Sequence, residues 1–306
     1  MPLSRRGRYP RCPLPKRLRG LLAVGSALVA ASSGCSASTS RATTNSASFE
    51  VVTSAYPLAQ AAAFIAGGKA RVTDLVPAGS NPFAFEPDQV QVSEVQRAGL
   101  FVFTGAAVQP GFSATVSVAS HKVDLSSATS EPYFWLDPPA MRTAVQIIET
   151  AMENADPANA GTFRSGARDL EVELDSTSID YQSTLSTCPR RTIFAADNAF
   201  FDLAKRYDLD YHSLGPASSQ GPGSLAAESA AVRSSGATAI FAESWVGDSR
   251  VNLVAHAAGA KVRTLDTLLA PPPGGWPRQA TYVGLLESNL GRLSDALGCA
   301  SSNPGP

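Results

Sequence analysis

The 306 residues carry 25 basic and 26 acidic side chains, but seven of the basic ones fall within residues 1–20, where there is no acid. The remainder holds 18 basic against 26 acidic residues, a net charge of about minus eight, which disfavours nucleic-acid binding because a phosphate backbone demands clustered Lys and Arg. About 260 residues are left for folding, enough for one large domain or for two lobes with their own cores.

The basic stretch runs into the apolar segment LLAVGSALVAA at 21–31, the pattern of an export signal. This run is about half of the roughly 20 residues a spanning helix requires, so it predicts export and not embedding. Ser32-Ser33-Gly34-Cys35 resembles a bacterial lipobox, although the usual leucine three places before the cysteine is absent. Residues 1–35 therefore read as a signal peptide with two outcomes: lipidation of Cys35, which anchors the protein on the outer face of the cell membrane, or ordinary cleavage, which releases it. Arg5-Arg6 also faintly resembles a twin-arginine signal. Residues 36–48, SASTSRATTNSAS, form a polar tether, and folding is expected to begin near Phe49.

FEVVTSAYP (49–57) reads as a buried strand, and PLAQAAAFIAGG (57–68) as an amphipathic helix stopped by Gly67 and Gly68. ARVTDLVP (70–77) is a predicted strand, SEVQRAGL (93–100) a helix, and FVFTG (101–105) a strand ended by glycine. Two helical patterns follow, over 139–155 and 157–185, the second opened by Asp156-Pro157 in capping position. At 1.5 Å per residue the second is about 40 Å long and would join two lobes as a rigid connector; the plainer alternative is two ordinary surface helices. The strand–helix grammar then repeats in RTIFAAD (191–197), NAFFDLAKRYDL (198–209), AVRSSGATAIFAES (231–244) and VNLVAHAAGAKVRTLD (251–266).

Such alternation predicts an α/β protein of two lobes, each a mostly parallel sheet flanked by helices. The N-terminal lobe is expected over 49–138, the connecting helices over 139–186, the C-terminal lobe over 187–300 and a tail over 301–306. Cys12 and Cys35 belong to the export segment. Cys188 and Cys299 remain as an even pair in an oxidising compartment, where a disulfide is the natural reading and two buried thiols the alternative.

Several segments, in order, resemble those of one known family. VVTSAYPLAQ (51–60) is similar to the opening strand and helix of that family, and LVPAGSNPFAFEPDQVQVSEVQRAGLFVFTG (75–105) to its L-V-P-x-G-x-x-P-H-x-Y-E-P-T segment. EPYFWLDP (131–138) resembles D-P-H-x-W-L-D-P, and DNAFFDLAKRYDLD (197–210) resembles H-x-A-F-G-Y-L-A-x-R-Y-G-L. IFAESWVGDSRVNLVAHAAGAKVRTLDTL (240–268) matches a strand, helix and strand ending in a ligand aspartate, and TYVGLLESNLGRLSDAL (281–297) matches the terminal helix. Together these segments resemble the zinc/manganese class of substrate-binding lipoproteins that serve ABC transporters.

Carried over position by position, the two ligand histidines of the family fall on Phe83 and Tyr133, the third ligand on Asp197 and the fourth on Asp266. The resemblance thus implies an extracytoplasmic binding protein for a divalent cation, zinc or manganese, whose ion site is degenerate. Asp197 and Asp266 are the surviving ligand candidates, with Glu243 and Trp135 beside the cleft. An oxygen-only donor set suits harder ions better than zinc. The histidine-rich loop of the family is missing, and His121, His212 and His256 all fall outside ligand positions and read as structural. The implied partners are an ABC transporter permease and, through the lipid anchor, the membrane; the protein is expected to be a monomer.

Phe83, Tyr133, Phe134 and Trp135 place aromatic bulk where the family keeps an ion, which predicts a partly filled cleft and lobes held closed without metal. Two rival readings are an organic cargo of the siderophore or cobalamin kind, which needs a wide aromatic cleft, and an accessory protein that docks on an envelope partner. An enzyme is not expected: G-x-S-x-G, H-E-x-x-H, P-loop and dinucleotide motifs are missing, and neither Ser244 nor the Ser218-Ser219 pair has a histidine in any recognised arrangement.

Overall fold

β1 (Phe49–Thr53) opens the first sheet and pairs in parallel with β2 (Ala70–Asp74) on one side and β3 (Leu100–Phe103) on the other. β4 (Lys122–Asp124) completes the order β2-β1-β3-β4. The computed structural model describes residues 49–127, 132–215, 222–243 and 249–300. The export segment with Cys35, the tether, Ser218, Ser219, Ser244 and the tail lie outside the described residues. A second parallel sheet, β5 (Thr192–Ala195), β6 (Asp210–Ser213), β7 (Ala239–Ala242) and β8 (Lys261–Thr264), has the order β6-β5-β7-β8. The second sheet thus repeats the strand order of the first, as the repeated strand–helix grammar predicts.

The apolar runs explain the central strands. All four residues of β3, Leu-Phe-Val-Phe, are buried, as expected of a parallel strand covered on both faces. The helices that cover the first sheet are α1 (Tyr56–Ala66), α2 (Gln89–Arg97) and α3 (Ser113–Val118). α1 starts with Pro57 in its first turn and ends on Gly67, whose φ of 52° is left-handed and costs glycine little. α2 differs from its expected span. It starts at Gln89 because the Asp88 carboxylate accepts the Val90 and Gln91 amides at 2.8 and 2.9 Å while the Gln91 side chain accepts the Asp88 amide, a capping box. It stops at Arg97, since Leu100 already belongs to β3.

α4 (Pro138–Ala155) and α5 (Ala160–Leu185) connect the sheets. α5 has 26 residues, about 39 Å at the standard rise, and a 3-10 turn at Pro157–Asn159 precedes it. The Asp156 carboxylate accepts from the Asn159 side chain at 2.6 Å instead of capping a backbone amide. α5 buries Phe163, Ala167, Leu170, Leu174, Tyr181 and Leu185, a stripe at helical spacing. Where α5 crosses the end of α1, a Cβ on Gly166 would lie 2.7 Å from the Ile65 carbonyl oxygen and 2.8 Å from that of Phe64. Gly166→Ala is therefore expected to cost about 1–2 kcal/mol in a urea titration, because the forced separation of two helices outweighs the better helix propensity of alanine.

α6 (Phe201–Arg206), α7 (Pro222–Ser234), α8 (Ser249–Ala258) and α9 (Tyr282–Leu297) flank the second sheet. α6 is shorter than the 198–209 reading because Asp197 captures the Ala199 amide and Asp208 turns left-handed at φ 57°. β6 and α3 were not legible in the sequence; β6 is a short edge strand with only half-buried and exposed positions.

One hydrophobic core runs through both sheets and the connecting helices, from Val51 and Val102 through Trp135, Met141 and Leu170 to Ile193 and Phe241. Segment 266–272 binds the two halves together. The Tyr56 amide donates to the Leu269 carbonyl at 3.1 Å, the Gly79 amide to that of Pro271 at 2.9 Å, and Ala270 is buried among Val52, Phe101 and Phe112 of the first lobe. Arg206 of α6 pairs with the buried Asp137 at the head of α4. Cys188 and Cys299 form the expected disulfide. Among the described residues no helix is long and apolar enough to cross a membrane.

Candidate metal centre

Asp197, Glu243 and Asp266 lie just past the ends of β5, β7 and β8, three adjacent strands. The carboxyl edge of a parallel sheet is where α/β proteins place ligands, because the strands stop there and the loops diverge. Phe83, in the loop after β2, and Tyr133, at the start of the turn leading into α4, come from the first lobe. Their rings meet edge to face with centroids 6.3 Å apart, and Tyr133 also meets Trp135 at 5.5 Å.

The three carboxylates have different surroundings. Asp266 is 4% exposed; its carboxylate pairs with Arg292 of α9, its amide donates to the Asn289 side chain at 3.1 Å, and its carbonyl accepts from the Asn289 amide group at 2.7 Å. Asp197 is half-buried. It accepts the Ala199 amide at 2.8 Å through its side chain and the Tyr211 hydroxyl at 2.7 Å through its backbone carbonyl. Burial raises the Asp197 pKa and the Ala199 amide opposes the rise. Glu243 is 5% exposed, and neither carboxylate oxygen has a hydrogen-bond partner among the described residues.

Burial first, then the charges of Asp197 and Asp266, push Glu243 up to about 8. The Thr267 hydroxyl opposes that rise from nearby but is not placed to make a hydrogen bond. The Tyr133 phenol is pushed up to about 12 by burial and then by Asp197 and Glu243, so it faces the same carboxylates. It hydrogen-bonds to neither aspartate among the described residues. A cavity of about 10 Å³ is bordered by Asp197, Glu243, Phe200 and Leu265, and a space of that order holds one water or one ion.

These strand ends, loops and connecting helices recur in known proteins. The family profile described as ZnuA, "Zinc-uptake complex component A periplasmic", matches residues 51–296. The chain belongs to the ZnuA family. The high-affinity zinc uptake system protein ZnuA of Bacillus subtilis is 23% identical over 92% of this chain and 98% of its own length. The manganese-binding lipoprotein MntA of Halalkalibacterium halodurans is 24% identical over 77% of this chain and 84% of its own. The zinc-binding protein AdcA of Streptococcus pyogenes is 24% identical over 80% of this chain, a match that spans 55% of that longer relative. Among solved structures, the laminin binding protein Lmb of Streptococcus agalactiae superposes with a TM-score of 0.74 at 25% identity, covering 81% of this chain and 99% of Lmb. The ZnuA-like domain of Streptococcus pneumoniae AdcA, at 21% identity, 81% and 98% coverage and a TM-score of 0.72, shows the same fold.

ZnuA-family proteins are solute-binding uptake components and not enzymes, in line with the missing catalytic motifs. Within this ZnuA-family chain, Phe134 and Trp135 are fully buried, so of the four expected rings Tyr133 is the one on which the carboxylate charges act, with Phe83 packed against it. The histidines lie elsewhere. His212 of β6 stacks on Phe194 at 5.0 Å, and His256 is exposed on α8. His121 borders a groove of about 630 Å³ with Gly99, Lys122 and Asn154, at the opposite edge of the first sheet. Among the described residues no group of three or more His, Cys, Asp or Glu is arranged to hold a metal.

Sequence reasoning missed Arg292, Asn289 and Tyr211. Asn289 left a trace: it falls on the apolar stripe of α9 beside Leu285, Leu286, Leu290 and Leu293, where a polar side chain requires a buried partner. It also missed Asp74 at the end of β2, which burial raises to about 7 against the opposing amides of Val76 and Leu75. A carboxyl group with a raised folded-state pKa gives stability that is complete below its unfolded value of about 4 and is lost as pH rises to the folded value. The metal-free protein is therefore expected to lose stability between pH 4 and pH 8, with Glu243 acting in the same direction. Asp74→Asn should flatten the part between pH 4 and 7, on the order of 2 kcal/mol after solvent screening, in denaturant titrations across that range.

Proposed function

We propose that the protein is the extracytoplasmic capture component of a metal-cation ABC transporter, with a degenerate ion site that draws on Asp197 and Asp266. The observation that carries this reading is the row of carboxylates at the ends of β5, β7 and β8 with Tyr133 of the first lobe close by, within a chain of the ZnuA family. The donors are oxygens. They fit a hard divalent ion such as manganese better than zinc, which favours a tetrahedral nitrogen or sulfur site. The same reading makes residues 1–35 a signal peptide with a lipid anchor at Cys35, residues 36–48 a tether, and an ABC permease the partner of a monomer. An organic cargo finds little support, since the space between the carboxylates admits a single small species.

Calorimetric titration of the mature chain with manganese chloride and zinc chloride tests the proposal. Micromolar manganese binding, lost in Asp197→Ala, is the expected result, with zinc no tighter than manganese. Silence toward both ions would sink it. That outcome would favour an accessory protein without cargo, a reading supported by the Asp266–Arg292 pair, in which a guanidinium supplies positive charge at a family ligand position.

A further inference from the structure

We infer that Glu243 is a direct ligand of the captured ion, paired with Asp197 across the gap between β5 and β7. The inference rests on the cation-capture reading above and names a ligand outside the four positions carried over from the family. Ala195 of β5 stands directly opposite Phe241 of β7, and Asp197 and Glu243 each lie two residues beyond that pair. With a side-chain period of two, this register brings both carboxylates to the same level on the same face. The Ala196 amide donates to the Phe241 carbonyl at 2.9 Å, which fixes the alignment beyond the paired residues.

Three observations separate Glu243 from a structural acid. It is 95% buried, and neither of its oxygens meets a donor among the described residues, a costly state for a carboxylate with no compensating interaction. Its neighbour Asp266 already has a counter-ion in Arg292, whereas Glu243 has no ion pair among the described residues. The cavity of about 10 Å³ lies between Asp197 and Glu243, where an ion would reach both carboxylates. A hard divalent ion suits this oxygen donor set. The Tyr133 phenol forms the first-lobe side of the same site.

The test is calorimetric titration of the full mature chain with manganese chloride, in wild type, Glu243→Gln and Glu243→Asp, together with thermal unfolding of each with and without manganese. Glu243→Gln should weaken manganese binding by at least 100-fold and abolish the manganese-induced rise in Tm. The metal-free Tm should not fall, because the amide replaces an unpaired buried acid. Glu243→Asp, which keeps the charge on a shorter arm, should retain binding within about tenfold. Wild-type binding with undiminished affinity in Glu243→Gln overturns this inference and leaves the cation-capture reading standing. A wild type that binds neither manganese nor zinc overturns both.

Discussion

Trp135→Ala is expected to lower the unfolding free energy by about 5 kcal/mol, at the upper end of the range for emptying an aromatic site in a protein core. The indole is fully buried and packs against Phe134 at 5.2 Å and Tyr133 at 5.5 Å. Its N–H donates at 2.7 Å to the Thr267 carbonyl, 132 positions away, and its own backbone carbonyl accepts the Tyr282 hydroxyl of α9. Truncation therefore opens a cavity and strands a buried carbonyl, two costs that fall on the joint between the lobes. Trp135→Phe separates them: it keeps most of the ring and loses the hydrogen bond, for about 1–3 kcal/mol. Denaturant unfolding of both variants checks the order. An alanine variant as stable as wild type would show that Trp135 does not hold the lobes together.

Removing the disulfide by Cys188→Ser with Cys299→Ser is the second large effect. The bridge joins residues 111 apart, tying the chain just ahead of β5 to the end of α9. Loop-closure entropy gives about 4–5 kcal/mol for a loop of this length, within the usual 2–5 for a native bridge. For a folded region of this size that is a fall in Tm of about 10 °C. The double variant should still fold, because the Arg190 amide and guanidinium continue to bond to the Leu297 and Ala296 carbonyls, at 3.3 and 3.0 Å. Scanning calorimetry with and without reductant gives the comparison. Reductant should lower the wild-type Tm toward that of the double variant and leave the variant unchanged.

These effects concern contacts that the sequence announces unevenly. The Cys188–Cys299 pair was legible by elimination, since two other cysteines fall in the export segment. α1, α4, α5 and the buried strands were legible because apolar spacing, proline at helix starts and glycine at stops are local signals. The start of α2 went unread although Asp88 and Gln91 carry a capping box, because the 93–100 pattern drew the boundary too late. β6 has no apolar alternation and pairs only through its backbone, so composition gave no sign of it.

The candidate site divides in the same way. The resemblance assigns Phe83, Tyr133, Asp197 and Asp266 to the site, each within a run of residues that carries its own pattern. Glu243 was visible as an acid near a strand end. That its oxygens lack donors, and that Asp266 is held by Arg292 from 26 residues away, follow from which side chains the fold brings together.

By itself the sequence determined the α/β alternation, the two-lobe division and the long connecting helix, because these depend on local periodicity and residue identity. Only the tertiary structure decided which carboxylate is neutralised and which is left without a partner. Sheet register and helix packing set those pairings, and neither is encoded in any short stretch of chain.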